Sequence, residues 1–142
     1  MKLPAYFVTI QPEGVKMDTL IDRFRKCRTI AVVGATDVTH KFGYKVYRKL
    51  KDDGFTVYAV NPHKTEIDGD VVYPSVDVVP SVPDALSLIV NAATGLEAVQ
   101  KAFAMGVRIV WCQPGAESDE LIDWCKQNDV ACIYNRCVLV DI

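Results

Sequence analysis

A chain of 142 residues, 50% of them hydrophobic and with a formal net charge of −2 at pH 7, is long enough to bury one sheet with its helices. Its 16 basic and 18 acidic residues are interspersed, so no basic stripe exists for DNA or RNA, and nucleic acid is not expected as a partner. No apolar run has the length of a membrane-spanning helix, and Met1 to Ile10 lacks a strongly basic start and a cleavage site; the expectation is a cytoplasmic protein with no membrane partner.

Residues 1–16 read as an N-terminal arm, in which Tyr6-Phe7-Val8-Thr9-Ile10 has strand propensity, and residues 17–142 as the domain. The arm packs on that domain or on a second copy of the chain, which leaves a homo-oligomer open. Asp18 is expected to cap a helix through about Cys27, with Leu20, Ile21 and Phe24 on one face. Ile30 to Val33 is β-branched without alternation, as in a strand buried on both faces of a parallel sheet. After a polar loop, a helix from about Phe42 to Asp53 buries Val46 and Leu50 and stops at Gly54. Phe55 to Val60 forms the second strand, and Asp68-Gly69 turns the chain into a short strand over Val71 to Tyr73. Pro74, Pro80 and Pro83 divide the connection that follows.

Leu86 to Val90 reads as the next strand, and Thr94 with Glu97 as a capping box for a helix to about Met105 that buries Leu96, Val99 and Phe103. Val107 to Trp111 is a strand, Gln113-Pro114-Gly115 a loop, and Ser118 the cap of a helix to about Gln127. Val130 to Tyr134 closes the series. This alternation predicts an α/β fold: a three-layer, Rossmann-like, doubly wound parallel sheet in a single domain.

The chemistry concentrates between Gly34 and Tyr44. A strand that ends in glycine, passes through small residues and enters a helix presents backbone N–H groups to a phosphate. The same turn also serves plain helix–sheet packing. A dinucleotide fingerprint needs Gly-x-Gly-x-x-Gly and an acid about 20 residues on. Here the glycine after Gly34 is Gly43, and the second strand ends in Val60-Asn61-Pro62-His63-Lys64 with no acid, which favours a ligand other than NAD. Gly34→Val is expected to push a side chain into the ligand space and abolish binding with modest loss of stability. His40 is a phosphate donor or a solvated loop residue; His63 reads as solvated.

Cys27, Cys112, Cys125, Cys132 and Cys137 form no Cys-x-x-Cys pair and there are two histidines, so free thiols and no metal are expected. Cys112 and Cys132 lie in apolar runs, Cys125 in a helical pattern and Cys27 near a helix end, and these four read as core or semi-exposed filler. Cys137 is either a thiolate favoured by the Arg136 guanidinium, poised for a mixed disulfide with a thiol ligand, or a small residue required by its turn.

Together, Val32-Val33-Gly34-Ala35-Thr36, Val60-Asn61-Pro62, Trp111-x-Gln113-x-Gly115 and Asn135-Arg136-Cys137 resemble the small stand-alone CoA-binding proteins. The domain of those proteins is similar to the CoA-binding domain of the succinyl-CoA synthetase alpha subunit. The resemblance runs from about Thr29 to Val140. It implies coenzyme A or a short acyl-CoA as ligand, with the diphosphate on Gly34, Ala35, Thr36 and the helix start at Lys41, Phe42, Gly43 and Tyr44. The adenosine would lie near Asn61, Pro62 and Lys64. The pantetheine arm would cross Thr94 and the Gln113 and Gly115 loop toward Arg136 and Cys137. CoA bears a ribose phosphate that a carboxylate at the end of the second strand would repel, whereas Lys64, His63 and Asn61 would not.

The chain departs from that family at Asp37-Val38-Thr39-His40-Lys41-Phe42, where those proteins commonly carry a proline and an arginine or serine. Lys41 supplies a positive charge there and Asp37 a negative one. No nucleophile–base–orienter set is legible, and there is no room for the synthetase's second domain with its phosphorylated histidine. Two alternatives stay open: an NAD(P)-binding redox sensor or oxidoreductase on the same fold, and an accessory subunit of an acyl-CoA synthetase.

Overall fold

Thr29–Val33 (β1) takes the centre of the sheet, the place its apolar run without alternation calls for, with Thr56–Val60 (β2) on one side and Ala85–Leu88 (β5) on the other, both parallel to it. Beyond β2 lie Asp70–Tyr73 (β4), parallel, and at the edge Glu66–Ile67 (β3), antiparallel to β4. Beyond β5 lie Ile109–Cys112 (β6) and Ala131–Ile133 (β7), both parallel. The seven-stranded order is β3-β4-β2-β1-β5-β6-β7. Apart from the β3 edge this is the doubly wound Rossmann arrangement, in which the chain works outward from β1 in both directions and leaves a switch point between β1 and β5. The computed structural model describes residues 16–142, so the expected arm lies outside the described residues except for Lys16.

Helices cover both faces. Met17–Arg25 (α1), Phe42–Asp52 (α2) and the short Val138–Asp141 (α5) pack on one. There Leu20, Ile21, Phe24, Val46, Tyr47 and Leu50 meet Ile30, Val32, Trp111 and Ile133. Ala92–Met105 (α3) and Asp119–Gln127 (α4) pack on the other. There Ala98, Val99, Ala102 and Leu121 meet Val33, Leu86, Leu88 and Val110. Trp111 is fully buried, stacks edge-on against Phe24 at 5.0 Å and donates its indole N–H to the Arg136 carbonyl at 2.8 Å, which ties the C-terminal loop to the core. Among the described residues no helix is long and apolar enough to cross a membrane.

Apart from the strand ends, local structure departs from the sequence expectation in four places. Asp18 does not cap α1, whose N-cap is Lys16 without a side-chain bond; its carboxylate sits in the first turn and pairs with Arg136 at 2.6 Å. The β3–β4 hairpin was not anticipated: Asp68 and Gly69, both at positive φ (52° and 86°), make the two-residue turn that such hairpins favour. Helix α3 begins at Ala92 with Asn91 as its cap, accepting from the Thr94 N–H at 2.9 Å, so Thr94 belongs to the first turn. The frame moves accordingly, and α3 buries Gly95, Ala98, Val99 and Ala102 while Leu96 and Phe103 are only half-buried. Helix α5 is the fourth, too short to leave a periodic signal.

Candidate functional site

Three connections meet above the carboxyl ends of β1, β2 and β5 and enclose a cleft of about 760 Å³ at the switch point. The loop after β1 supplies Gly34, Thr36, Val38, His40, Lys41, Phe42 and Gly43; the loop after β2 supplies Asn61, Pro62, His63 and Lys64; the β5–α3 connection supplies Ile89, Val90, Asn91 and Thr94. A smaller pocket of about 350 Å³ adjoins it, sharing Phe42, Ile89, Val90 and Asn91 and adding Gln113, Pro114, Gly115 and Ala116.

Two glycines let these connections close on one another. A Cβ at Gly43 would lie 2.2 Å from the Gly34 carbonyl oxygen, so the start of α2 can rest on the end of β1 only without a side chain there. Gly34 sits at φ +100°, and a Cβ on it would lie 2.3 Å from the Ile89 carbonyl oxygen. This corrects the expectation for Gly34→Val: the added side chain meets the β5–α3 backbone, and the cost falls on the fold. Close backbone approach thus requires both glycines, Gly43 where α2 meets the end of β1 and Gly34 where β1 meets the β5–α3 connection.

Asn61 holds the β1 and β2 loops together. Its Nδ2 donates to the Ala35 carbonyl at 2.8 Å, and its Oδ1 accepts the His63 N–H at 2.8 Å. Thr36 Oγ1 accepts the Val38 N–H at 3.3 Å and shapes the turn that carries Asp37. Lys64, which lines the cleft, has its Nζ 2.9 Å from Oδ1 of Asp37, which does not, and the Lys64 ammonium holds the Asp37 carboxyl below the usual carboxylate range.

The electrostatics favour an anion. No carboxylate lines the cleft among the described residues, whereas Lys41 and Lys64 do. At the start of α2 the N-cap Lys41 makes no side-chain cap, and the Phe42 and Gly43 N–H groups have no acceptor among the described residues. Helix α3 also begins at the cleft wall, through Asn91 and Thr94. Two helix N-termini therefore add their partial positive charge to Lys41 and to Lys64, the latter offset by its Asp37 partner.

Of the residues singled out from the sequence, Gly34, Thr36, Lys41, Phe42, Gly43, Asn61, Pro62, Lys64 and Thr94 line the cleft together, and Gln113 and Gly115 line the adjoining pocket. Ala35 is fully buried beneath the loop. Tyr44 points away, its hydroxyl donating to Asp68 at 2.8 Å. Gln113 is 4% exposed and its amide is spent on the C-terminal turn, Nε2 donating to Cys137 Sγ at 2.9 Å and Oε1 accepting the Val138 N–H at 3.1 Å. Arg136 pairs with Asp18 and with Asp141, at 3.2 Å, so the guanidinium expected to serve Cys137 is met by two carboxylates. Neither Arg136 nor Cys137 lines the cleft or the adjoining pocket. Val38, Ile89, Val90 and Asn91 were not singled out; reading the strand through Val90 concealed that the chain has left the sheet by Ile89.

Three of the other thiols lie in the core, and Cys27 is half-buried at its edge. Cys112, Cys125 and Cys132 converge between β6, β7 and α4, with Cys112 Sγ 4.0 Å from Cys132 Sγ. The hydrogen bond with the Cys132 sulfur, and then burial, push the Cys112 and Cys125 thiols up, which keeps them protonated. Burial, and then Asp84, push Cys27 up to about 11.

Known proteins share this architecture. The alpha subunit of an ADP-forming acetate–CoA ligase II from Pyrococcus furiosus is 38% identical over 72 residues, covering 50% of this chain and 16% of that one. An ADP-forming acetate–CoA ligase I from Archaeoglobus fulgidus is 36% identical over 74 residues, 52% of this chain and 11% of that one. This chain therefore spans only a small part of the ligases it matches. A conserved hypothetical protein from Pyrococcus furiosus superimposes with a TM-score of 0.76 at 35% identity, over 81% of this chain and 99% of that one. Residues 28–142 match the family described as a CoA binding domain, and the chain belongs to that family.

Proposed function

We propose that the cleft binds coenzyme A or a short acyl-CoA, and that the chain acts as a binding module with no catalytic step assigned to its own residues. The observation that carries the reading is a cleft with two lysines, two helix N-termini and no lining carboxylate among the described residues, of a size in the range of small-molecule sites. The diphosphate is assigned to the start of α2, at Lys41, Phe42 and Gly43, with Gly34 and Thr36 as the floor. The 3′-phosphoadenosine is assigned to Asn61, Pro62 and Lys64. The pantetheine arm is assigned to Thr94 and the adjoining pocket at Gly115, where Phe42, Ile89, Val90 and Ala116 offer apolar surface.

Calorimetric titration with CoA, dephospho-CoA and NAD in parallel tests the reading. CoA is expected to bind more tightly than either of the others, and NAD binding more tightly than CoA would reject it in favour of a nicotinamide-dependent sensor or oxidoreductase. The similarity to a protein named as a ligase subunit favours a second reading, an accessory subunit of an acyl-CoA synthetase. Cross-linking in extract of the source cells with mass identification of the products tests it, and cross-links only between copies of this chain would count against it.

A further inference from the structure

The two lysines of the cleft differ in one respect. Among the described residues Lys41 takes part in no ion pair, while Lys64 is held by Asp37 at 2.9 Å. We propose that Asp37 is a built-in competitor for the phosphate-bearing end of the ligand: from outside the cleft lining its carboxylate occupies the Lys64 ammonium, and an incoming phosphate group must displace it. This inference rests on the nucleotide reading of the cleft and adds to it a residue that sets specificity.

The loop geometry supports displacement without rearrangement. Asn61 fixes the backbones of the two loops through its bonds to the Ala35 carbonyl and the His63 N–H, so the side-chain pair at their tips can open while the loops stay in place. Solvent reaches both partners, with the Lys64 side chain 33% exposed and that of Asp37 54%, so the pair is weak enough to exchange. A phosphate monoester brings about −1.5 to −2 charges and three acceptor oxygens against the single charge of a carboxylate. It therefore wins Lys64, whereas a ribose hydroxyl does not. A ligand with a phosphate at this end exchanges one anion for a stronger one. A ligand with a bare hydroxyl there leaves the Asp37–Lys64 pair closed and gains nothing from Lys64. Lys41 then anchors any anionic ligand, and the Asp37–Lys64 pair discriminates by the charge carried at the adenosine end.

The test is a set of calorimetric titrations with CoA and dephospho-CoA on the wild-type chain, Asp37→Asn, Lys64→Gln and the double variant, each shown to be folded by circular dichroism. Removing the competitor in Asp37→Asn is expected to tighten CoA binding about three- to tenfold and to leave dephospho-CoA within about twofold. Lys64→Gln is expected to weaken CoA about tenfold, again sparing dephospho-CoA. In the Lys64→Gln background the gain from Asp37→Asn should fall to about twofold or less, because there is no ammonium left to release. An equal gain with and without Lys64 would mean that Asp37 acts by general repulsion and would overturn the proposal, as would an equal gain for both ligands. A wild-type chain that binds NAD in preference to CoA would instead overturn the nucleotide assignment itself, a result distinct from CoA binding without the Asp37 effect.

Discussion

Three glycine substitutions separate backbone strain from steric conflict in this fold. Gly54 sits at φ +99° with nothing within 4 Å of a built Cβ, so Gly54→Ala carries only left-handed strain, about 1–2 kcal/mol. Gly43 has no such strain, but its Cβ would lie 2.2 Å from the Gly34 carbonyl oxygen and 3.2 Å from Thr36 Cγ2. Gly43→Ala must therefore push α2 off the end of β1, at about 1–3 kcal/mol, the usual range for overpacking. Gly34 combines both, with φ +100° and Cβ distances of 2.3 Å to the Ile89 oxygen and 2.8 Å to its carbon. Gly34→Ala is expected to lose about 2–5 kcal/mol, a large part of the roughly 5–15 kcal/mol that stabilises a typical domain. Urea unfolding followed by far-UV circular dichroism and tryptophan fluorescence reads the series, with midpoint shifts of about 1–3 M expected for Gly34→Ala. A Gly34→Ala variant within about 0.5 kcal/mol of Gly54→Ala would refute the steric argument, and so would a Gly43→Ala variant more stable than wild type.

The Ser87 hydroxyl is fully buried in β5 without a hydrogen-bond partner among the described residues, so Ser87→Ala is expected to be neutral or to stabilise by up to about 1 kcal/mol; a clear loss in urea unfolding would refute this. Lys41→Ala is expected to weaken CoA binding by about 1–2 kcal/mol in calorimetry, and an unchanged affinity would leave only the backbone N–H groups of α2 as phosphate contacts. Lys51 and then the Tyr47 hydroxyl hold the Asp70 carboxyl below its ordinary value. A depressed folded-state pKa gives stability that is present above the unfolded value and lost as pH falls through the folded one. Wild type should therefore lose more stability than Asp70→Asn as the pH drops below about 4, and parallel pH profiles would refute this.

What could be read from the sequence follows from how each signal arises. The β1–Gly34–α2 unit was legible because burial on both faces demands an unbroken apolar run, and here that run ends directly in a glycine and a small-residue loop. Short elements carry too few residues for a period to show, which is why β3, at Glu66–Ile67, and α5, at Val138–Asp141, were missed. The Asp68-Gly69 turn does carry the hairpin signal, but the strand before it, Glu66–Ile67, is too short to show alternation. Ile89 and Val90 were taken into the strand because hydrophobicity reports burial but not the surface that provides it. In the structure they have left the sheet to form a cleft wall.

The polar residues at the far end of the sheet show a different limit. Gln113, Arg136 and Cys137 were singled out because polar groups at the carboxyl edge of an open sheet are where ligands are met. A sequence cannot show whether such groups are already satisfied by one another. Here the Gln113 amide is divided between Cys137 Sγ and the Val138 N–H, and Arg136 between Asp18 and Asp141, so a ligand would have to break these bonds before gaining its own. Asn61 shows the same economy, with both side-chain atoms engaged in joining two loops. Lys41 and the first N–H groups of α2 are different, because nothing among the described residues competes for them. On this argument binding energy at the cleft should concentrate at the start of α2 and the apolar wall of Phe42, Ile89 and Val90, while Asn61 and Gln113 keep those surfaces in position.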